Sequence, residues 1–343
     1  MTKRIKISDI RYRYGGYFLL LLMALMVSAC DEKSSIDDGF TVTVDKMEVV
    51  ATTTIFSDFV EQIGGEVVNV RSLVPPQTDI HTFTIGPEDI QTIRSADLLV
   101  VGGAGLEANM ESAIDSAVMG MKLVLTDGLT LRSITSRHDH HQEHNEGHEG
   151  DESHEGDESH EGDEGDEGDE VSNDRRYYDP HFWLDINLVT QAVSAIRNAL
   201  VELDPENAQL YYLNTERYLL ELRNLDQQIT KTFSSLPESR RSLVTFHDAF
   251  YYFARRYDLE ILGFIVEGPE EEPSAGQVAN LISAMRKQRI SFIFTEPQFN
   301  SPIVQQVADE VGAEVRILYS GVLDREQTTY IDMMRENMLA IAN

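Results

Sequence analysis

Ten histidines occur in the chain, and they fall into two sets that cannot perform the same chemistry. His138, His140, His141, His144, His148, His154 and His160 crowd a tract of Asp, Glu, Ser and Gly with almost nothing apolar. His81, His181 and His247 stand alone, each beside aromatic or aliphatic residues. Neutral imidazole is the commonest side-chain ligand for metals. The partition therefore predicts one built metal site in a folded region and one loose, metal-attracting arm.

The elements that must position the three lone histidines follow from the apolar pattern. Strands are expected at Met47–Ala51, Val67–Val74, Asp97–Val101 and Lys122–Leu125, with helices near Ile55–Ile63, Pro87–Arg94 and Leu106–Val118 between them. The same rhythm returns after Pro237, with strands at Leu243–Phe246, Glu260–Val266, Ser291–Phe294 and Glu314–Leu318. Helices alternate with these at Ala249–Tyr257, Ala275–Lys287, Pro302–Val311 and from about Glu326. Alternation of this kind predicts α/β architecture, two mainly parallel β/α lobes. Between them, Asn187–Leu203 and Glu206–Phe233 read as a long, rigid connecting helical segment, interrupted where Asp204 and Pro205 mark a stop and an N-cap. Leu210, Leu213, Leu220, Leu225 and Ile229 are taken as the apolar face of its second part. The expected segments are thus 47–185, containing an insertion at 137–176, then 186–235 and 236–343.

His247 directly follows one expected strand and His81 lies several residues past another. In open α/β sheets, ligands collect in crevices beyond the carboxyl ends of strands. His181, in Asp179-Pro180-His181-Phe182-Trp183-Leu184-Asp185, precedes the long helices and is placed to close a cleft between the lobes.

Composition restricts the partners. The formal charge is −31, but the stretch from His138 to Glu170 holds sixteen acidic residues and no Lys or Arg, so about half of the charge belongs to that one segment. No basic face is visible, which argues against a nucleic-acid partner. At the N-terminus, Lys3, Arg4, Lys6, Arg11 and Arg13 precede an apolar run from Tyr17 to Val27, the pattern of an export signal spanning residues 1–29. It ends at Val27-Ser28-Ala29-Cys30, which resembles the lipobox of bacterial lipoproteins; the alternative is an ordinary cleaved signal with an incidental Cys30. A lipid on Cys30 and a flexible tether over residues 30–46 are expected. Cys30 is the only cysteine, so no intramolecular disulfide is available.

Several segments taken together carry a family resemblance. Asp179-Pro180-His181-Phe182-Trp183-Leu184-Asp185, Phe246-His247-Asp248-Ala249-Phe250-Tyr251-Tyr252-Phe253, Ala96-Asp97-Leu98-Leu99-Val100 through Gly105-Leu106-Glu107, Pro273-Ser274-Ala275 and Phe294-Thr295-Glu296-Pro297-Gln298-Phe299 stand in this order. They resemble the cluster A-I solute-binding lipoproteins that deliver zinc or manganese to ATP-binding-cassette (ABC) importers, most closely the zinc-binding members. The resemblance runs from about Met47 to the C-terminus. It implies an extracytoplasmic, non-enzymatic, monomeric binding protein. Its partners would be an ABC permease with its ATPase, and the membrane through the lipid anchor on Cys30. The location implied is the outer face of the cytoplasmic membrane or the periplasm.

The departures concern the ligand set. The family's frame around its first histidine is altered here to Asp79-Ile80-His81-Thr82-Phe83, and the carboxylate that commonly serves as fourth ligand falls on Gly321. The fourth position is left to water, Glu296, Asp324 or a side chain from the tract. Three imidazoles favour Zn(II), since Mn(II) prefers oxygen ligands. Asp185 and Asp248 are candidates for orienting a ligating histidine or for capping a helix.

The acidic tract repeats the unit Gly-Asp-Glu-Ser-His-Glu-Gly, beginning at Gly150 and again at Gly156. Like-charge repulsion and frequent glycine predict disorder without metal, and an accessory role in collecting Zn(II); a solvated spacer is the plainer reading. Two further classes stay open. A surface adhesin or passive zinc buffer needs no transporter, and a three-His zinc hydrolase would use the open coordination position to activate water.

Overall fold

The computed structural model describes residues 46–134, 177–269, 271–299, 301–323 and 329–343. The expected signal, the tether, Cys30, the seven crowded histidines and Asp324 lie outside the described residues.

Four short apolar segments form the first sheet: β1 (Met47–Ala51), β2 (Val68–Ser72), β3 (Leu98–Val101) and β4 (Met121–Val124). Their order is β2-β1-β3-β4, with every pair parallel and Val49 opposite both Val70 and Leu98. All four residues of β3 are buried, as a central parallel strand covered on both faces requires. Helices α1 (Thr54–Gly64), α2 (Pro87–Ser95) and α3 (Glu111–Ala117) provide the crossovers. The first is capped by Thr53, whose side chain accepts the N–H of Phe56, and the second starts on Pro87. A small antiparallel pair, β5 (Ser133–Ile134) and β6 (Tyr177–Tyr178), lies at the two ends of the insertion.

The first half departs from expectation in the third helix. The spacing predicts Leu106–Val118, yet helix begins only at Glu111. Gly103, Ala104 and Gly105 take positive φ, at 82°, 54° and 83°, and residues 106–110 continue as turns, with the N–H groups of Leu106, Ala108 and Met110 each donating to the carbonyl three residues before. Glu107 holds this turn together, its buried carboxylate accepting the N–H groups of Gly102 (2.7 Å) and Gly103 (3.0 Å) and the hydroxyl of Thr52 (2.7 Å).

The connecting segment consists of α4 (Ile186–Leu203), a 3-10 turn at Pro205–Asn207 and α5 (Ala208–Ser234). Asp204 ends one helix and starts the turn, accepting from the Asn207 N–H and from the Tyr211 hydroxyl. Helix α5 has 27 residues, about 40 Å at 1.5 Å per residue. Its buried stripe is Tyr211, Tyr218, Leu222, Leu225, Ile229 and Phe233. Leu213 and Leu220, expected inside, are 64% and 52% exposed. The helix is rotated relative to the leucine pattern because Tyr211 and Tyr218 pack inward.

The second half contains β7 (Ser242–His247), α6 (Tyr251–Tyr257), β8 (Glu260–Val266), α7 (Ala275–Gln288), β9 (Phe292–Thr295), α8 (Pro302–Val311), β10 (Glu314–Ile317) and α9 (Tyr330–Ala342). Strands β7 and β8 pair in parallel, as do β9 and β10, and β7 runs beside β9. Helix α9 begins at Tyr330 rather than near Glu326, because Thr329 forms a capping box with Asp332.

The protein is therefore α/β with two mainly parallel β/α lobes. One apolar core runs through both, from Val49 and Phe56 through Trp183, Tyr218 and Phe253 to Tyr330 and Ile341. A smaller core of Val244, Phe246, Ile265, Met285, Ile293 and Val307 lies within the second half. Residues Lys46–Asn343 form one compact unit. Among the described residues no helix is long and apolar enough to cross a membrane.

Candidate metal centre

The three lone histidines come together. One ring nitrogen from each of His81, His181 and His247 lies within 4.8 Å of the others, and no other group of three or more His, Cys, Asp or Glu side chains among the described residues does this. Ring centroids are 5.5 Å apart for His81 and His181, 6.4 Å for His81 and His247, and 5.3 Å for His181 and His247.

Each histidine reaches this point by a different local device. His81 lies in the loop after β2, where Gln77 takes a φ of 61° and Asp79 accepts the His81 backbone N–H at 2.9 Å. His181 sits in the same kind of turn, with the Asp179 carboxylate accepting its backbone N–H at 3.1 Å. The same oxygen lies 2.8 Å from His181 Nδ1. His247 is the last residue of β7, at the carboxyl end of the strand, and its Nδ1 lies 2.7 Å from Oε1 of Glu296, the residue after β9. A carboxylate only accepts, so in both pairs the imidazole Nδ1 carries the proton. That leaves Nε2 of His181 and His247 with its lone pair available, the carboxylate–histidine arrangement that serves metal ligands.

His247 Nε2 is buried and meets no hydrogen-bond partner in the protein. An unsatisfied buried polar atom is costly, and a ligand at the site removes that cost. The enclosed space between the rings is about 20 Å³, lined also by Asp79, Trp183 and Gly321. About 10–15 Å³ already holds one water. An ion or a water therefore fits there.

The surroundings favour a cation. Burial holds the Asp79 carboxyl above its ordinary value, with Glu296 adding to the rise while His247, His181 and the His81 N–H oppose it. For His247 the largest influence is burial, which lowers the pKa. The charge and hydrogen bond of Glu296, with Asp79 and Asp248 further off, outweigh it and hold the ring above its ordinary value.

Of the two residues expected to orient a histidine or to cap a helix, Asp185 does the latter, and Asp248 holds a cation beside His247. Asp185 caps α4, accepting the Asn187 N–H at 2.8 Å, and Asp248 pairs with Arg132 at 3.2 Å. The orienting carboxylates are Asp179 and Glu296. Glu296 is committed on both oxygens, the second taking Gln298 Nε2 at 3.1 Å and the Ser320 hydroxyl. The sequence did carry a signal for part of this, since Asp79 and Asp179 each stand two residues before a histidine and each caps its backbone N–H. Glu296 lies 49 residues beyond His247, and local spacing gives no sign of that contact.

Comparison with known proteins shows the family. A 28% identical relative, the high-affinity zinc uptake system protein ZnuA of Bacillus subtilis, matches over 96% of this chain and 97% of its own. The manganese-binding lipoprotein MntA of Halalkalibacterium halodurans is 25% identical over 94% of this chain and 95% of its own. Among solved structures, the periplasmic zinc binding protein TroA from Treponema pallidum superposes with a TM-score of 0.71 at 24% identity, covering 87% of this chain and 98% of that one, which supports the fold. Residues 49–343 match the family described as zinc-uptake complex component A, periplasmic, and the chain belongs to that family of metal-binding components of ABC importers.

Proposed function

We propose that this protein captures Zn(II) outside the cytoplasm on His81, His181 and His247 and hands it to an ABC permease driven by its ATPase. The observation that carries this reading is the convergence of three imidazoles, two with Nδ1 held by carboxylates, around the buried and unpartnered Nε2 of His247. Nitrogen ligands favour zinc over manganese. The relatives' names include zinc, manganese and iron, so the donor set of this chain is what favours zinc. The engagement of Glu296 with His247, Gln298 and Ser320 supports an orienting role for it, with solvent or Asp324 as fourth ligand.

Cys30 is read as the lipid attachment point, residues 30–46 as the tether, and the crowded histidines between His138 and His160 as a collector that raises the local zinc concentration. The protein is taken to act as a monomer, with lobe boundaries at 47–185 and 236–343 around the connecting segment 186–235. Family members are solute-binding proteins, which removes the three-His hydrolase. A zinc buffer or adhesin without a transporter remains the competing use of the same site.

The test is zinc and manganese titration calorimetry of the protein from residue 31, beside a version lacking residues 138–170. One tight zinc site kept in the truncated form and lost in His247→Ala supports the reading. Loss of tight binding with the tract overturns it in favour of the buffer.

A further inference from the structure

Arg132 stands one residue before β5, shortly before the insertion in sequence, and it is absent from the proposed ligand set. Its Nη1 lies 3.5 Å from Asp179 Oδ2 and 3.3 and 3.2 Å from the two oxygens of Asp248. The guanidinium also stacks over the Tyr251 ring, 4.2 Å from its centroid. The backbone of the same residue is equally engaged. Its N–H donates to the Tyr252 hydroxyl at 2.9 Å, its carbonyl accepts the Asp179 N–H at 3.0 Å, and the Tyr252 hydroxyl donates to the Asp179 carbonyl at 2.9 Å.

These contacts span the site. Asp179 holds His181 through one oxygen and faces Arg132 with the other. Asp248 follows His247 in the chain. A single planar cation thus joins the segment behind one histidine to the segment behind another, and the two lie on either side of the connecting helices α4 and α5. The Asp179 side chain is 1% exposed, so a change that removes its cation leaves a buried negative charge uncompensated.

We propose that Arg132 is a positioning residue that locks the His181 and His247 loops together and thereby sets how slowly a bound metal leaves. This rests on the reading of the three histidines as the zinc site. Release requires at least one ring to move away from the ion, and each of these two loops moves only by breaking its carboxylate's contact with the shared guanidinium. Lysine keeps the charge at this position but lacks the planar guanidinium that lies over Tyr251 and holds Nη1 between the two carboxylates.

The experiment follows zinc release into excess chelator by stopped flow, for the wild type, Arg132→Lys, Asp248→Asn and the double variant. Replacing outer partners of metal ligands costs about 10–100-fold in affinity, and from one bond further out each single change is expected to speed release about 3- to 30-fold. The double variant is expected to release no faster than the faster single one, because both changes cut the same bridge. The visible spectrum of the Co(II)-loaded protein should shift in both single variants, a change that mere loss of stability does not produce. Should Arg132→Lys fail to fold, Asp248→Asn carries the same test. Release rates and Co(II) spectra equal to wild type, or two rate effects that multiply independently, overturn the role of Arg132 while leaving the zinc site standing. A wild type whose tight zinc survives His247→Ala overturns both.

Discussion

At the scale of single residues, the site depends on protons as much as on nitrogen. Glu296 holds the His247 pKa above its ordinary value despite burial, so the ring keeps its proton to higher pH than a free imidazole. Zinc must displace that proton, and binding therefore weakens as pH falls, starting above about 6.5. The same shift stabilises the metal-free fold below the unfolded pKa of His247, and that contribution is lost as pH rises through the folded one. The rise in Tm on adding zinc should accordingly be small near about pH 5.5 and grow toward about pH 8, the window set by an imidazole raised from about 6.5. A pH-independent rise in differential scanning calorimetry would contradict this assignment. Glu296→Gln removes the raising influence and the anchor together. Zinc affinity at high pH should drop about 10–100-fold, with the remaining pH dependence displaced downward. Position 321 offers a converse change. A side chain added at Gly321 meets only Trp183, at 3.6 Å, and its backbone needs no positive φ. Gly321→Asp should fold normally and strengthen Mn(II) binding by adding an oxygen ligand, measured by manganese titration against the wild type.

Secondary-structure elements were legible in the sequence wherever apolar runs were short and bounded. Strands β1 and β8 and helix α8 have the bounds the pattern predicts. Two elements were misread for identifiable reasons. Leu106–Met110 looks helical by apolar spacing alone, but it forms successive turns, with the Glu107 carboxylate folded back onto the Gly102 and Gly103 N–H groups. In α5, Leu225 and Ile229 are buried as expected, but Leu213 and Leu220 face solvent, because Tyr211 and Tyr218 bury larger surfaces and Tyr211 can still satisfy its hydroxyl on Asp204. This rotation is testable by denaturant unfolding. Leu222→Ala should cost about 2–5 kcal/mol as a core truncation. Leu213→Ala, on the exposed side, should stay within about 0.5 kcal/mol. The site was legible only in part. Asp-x-His spacing marks two histidine turns, but the Glu296–His247 and Arg132–Asp248 contacts join residues 49 and 116 positions apart, a separation that only the fold closes.

For the whole molecule, the continuous core matters more than the division into lobes. Ties between the halves reinforce it: the Tyr330 N–H donates to Asp58 at 3.0 Å, the Tyr330 hydroxyl to the Trp183 carbonyl at 2.7 Å, and the Leu323 N–H to Thr54 at 3.2 Å. Helix α5 packs against α1 from the first half and α9 from the last. Such a body should unfold as one unit, giving a single transition with equal calorimetric and van't Hoff enthalpies; two resolved transitions would show that the lobes are separable. Gain and loss of the ion should then involve loops at the site rather than swinging lobes. Trp183 makes this observable without modification. It is the only tryptophan in the chain, its ring stands edge-on to His181 with centroids 5.4 Å apart, and its indole N–H is fixed on the Ser320 carbonyl beside Gly321. Its emission comes from one buried environment in contact with one candidate ligand. The protein thus carries its own optical gauge of occupancy, able to time both the arrival of an ion and its departure to a partner.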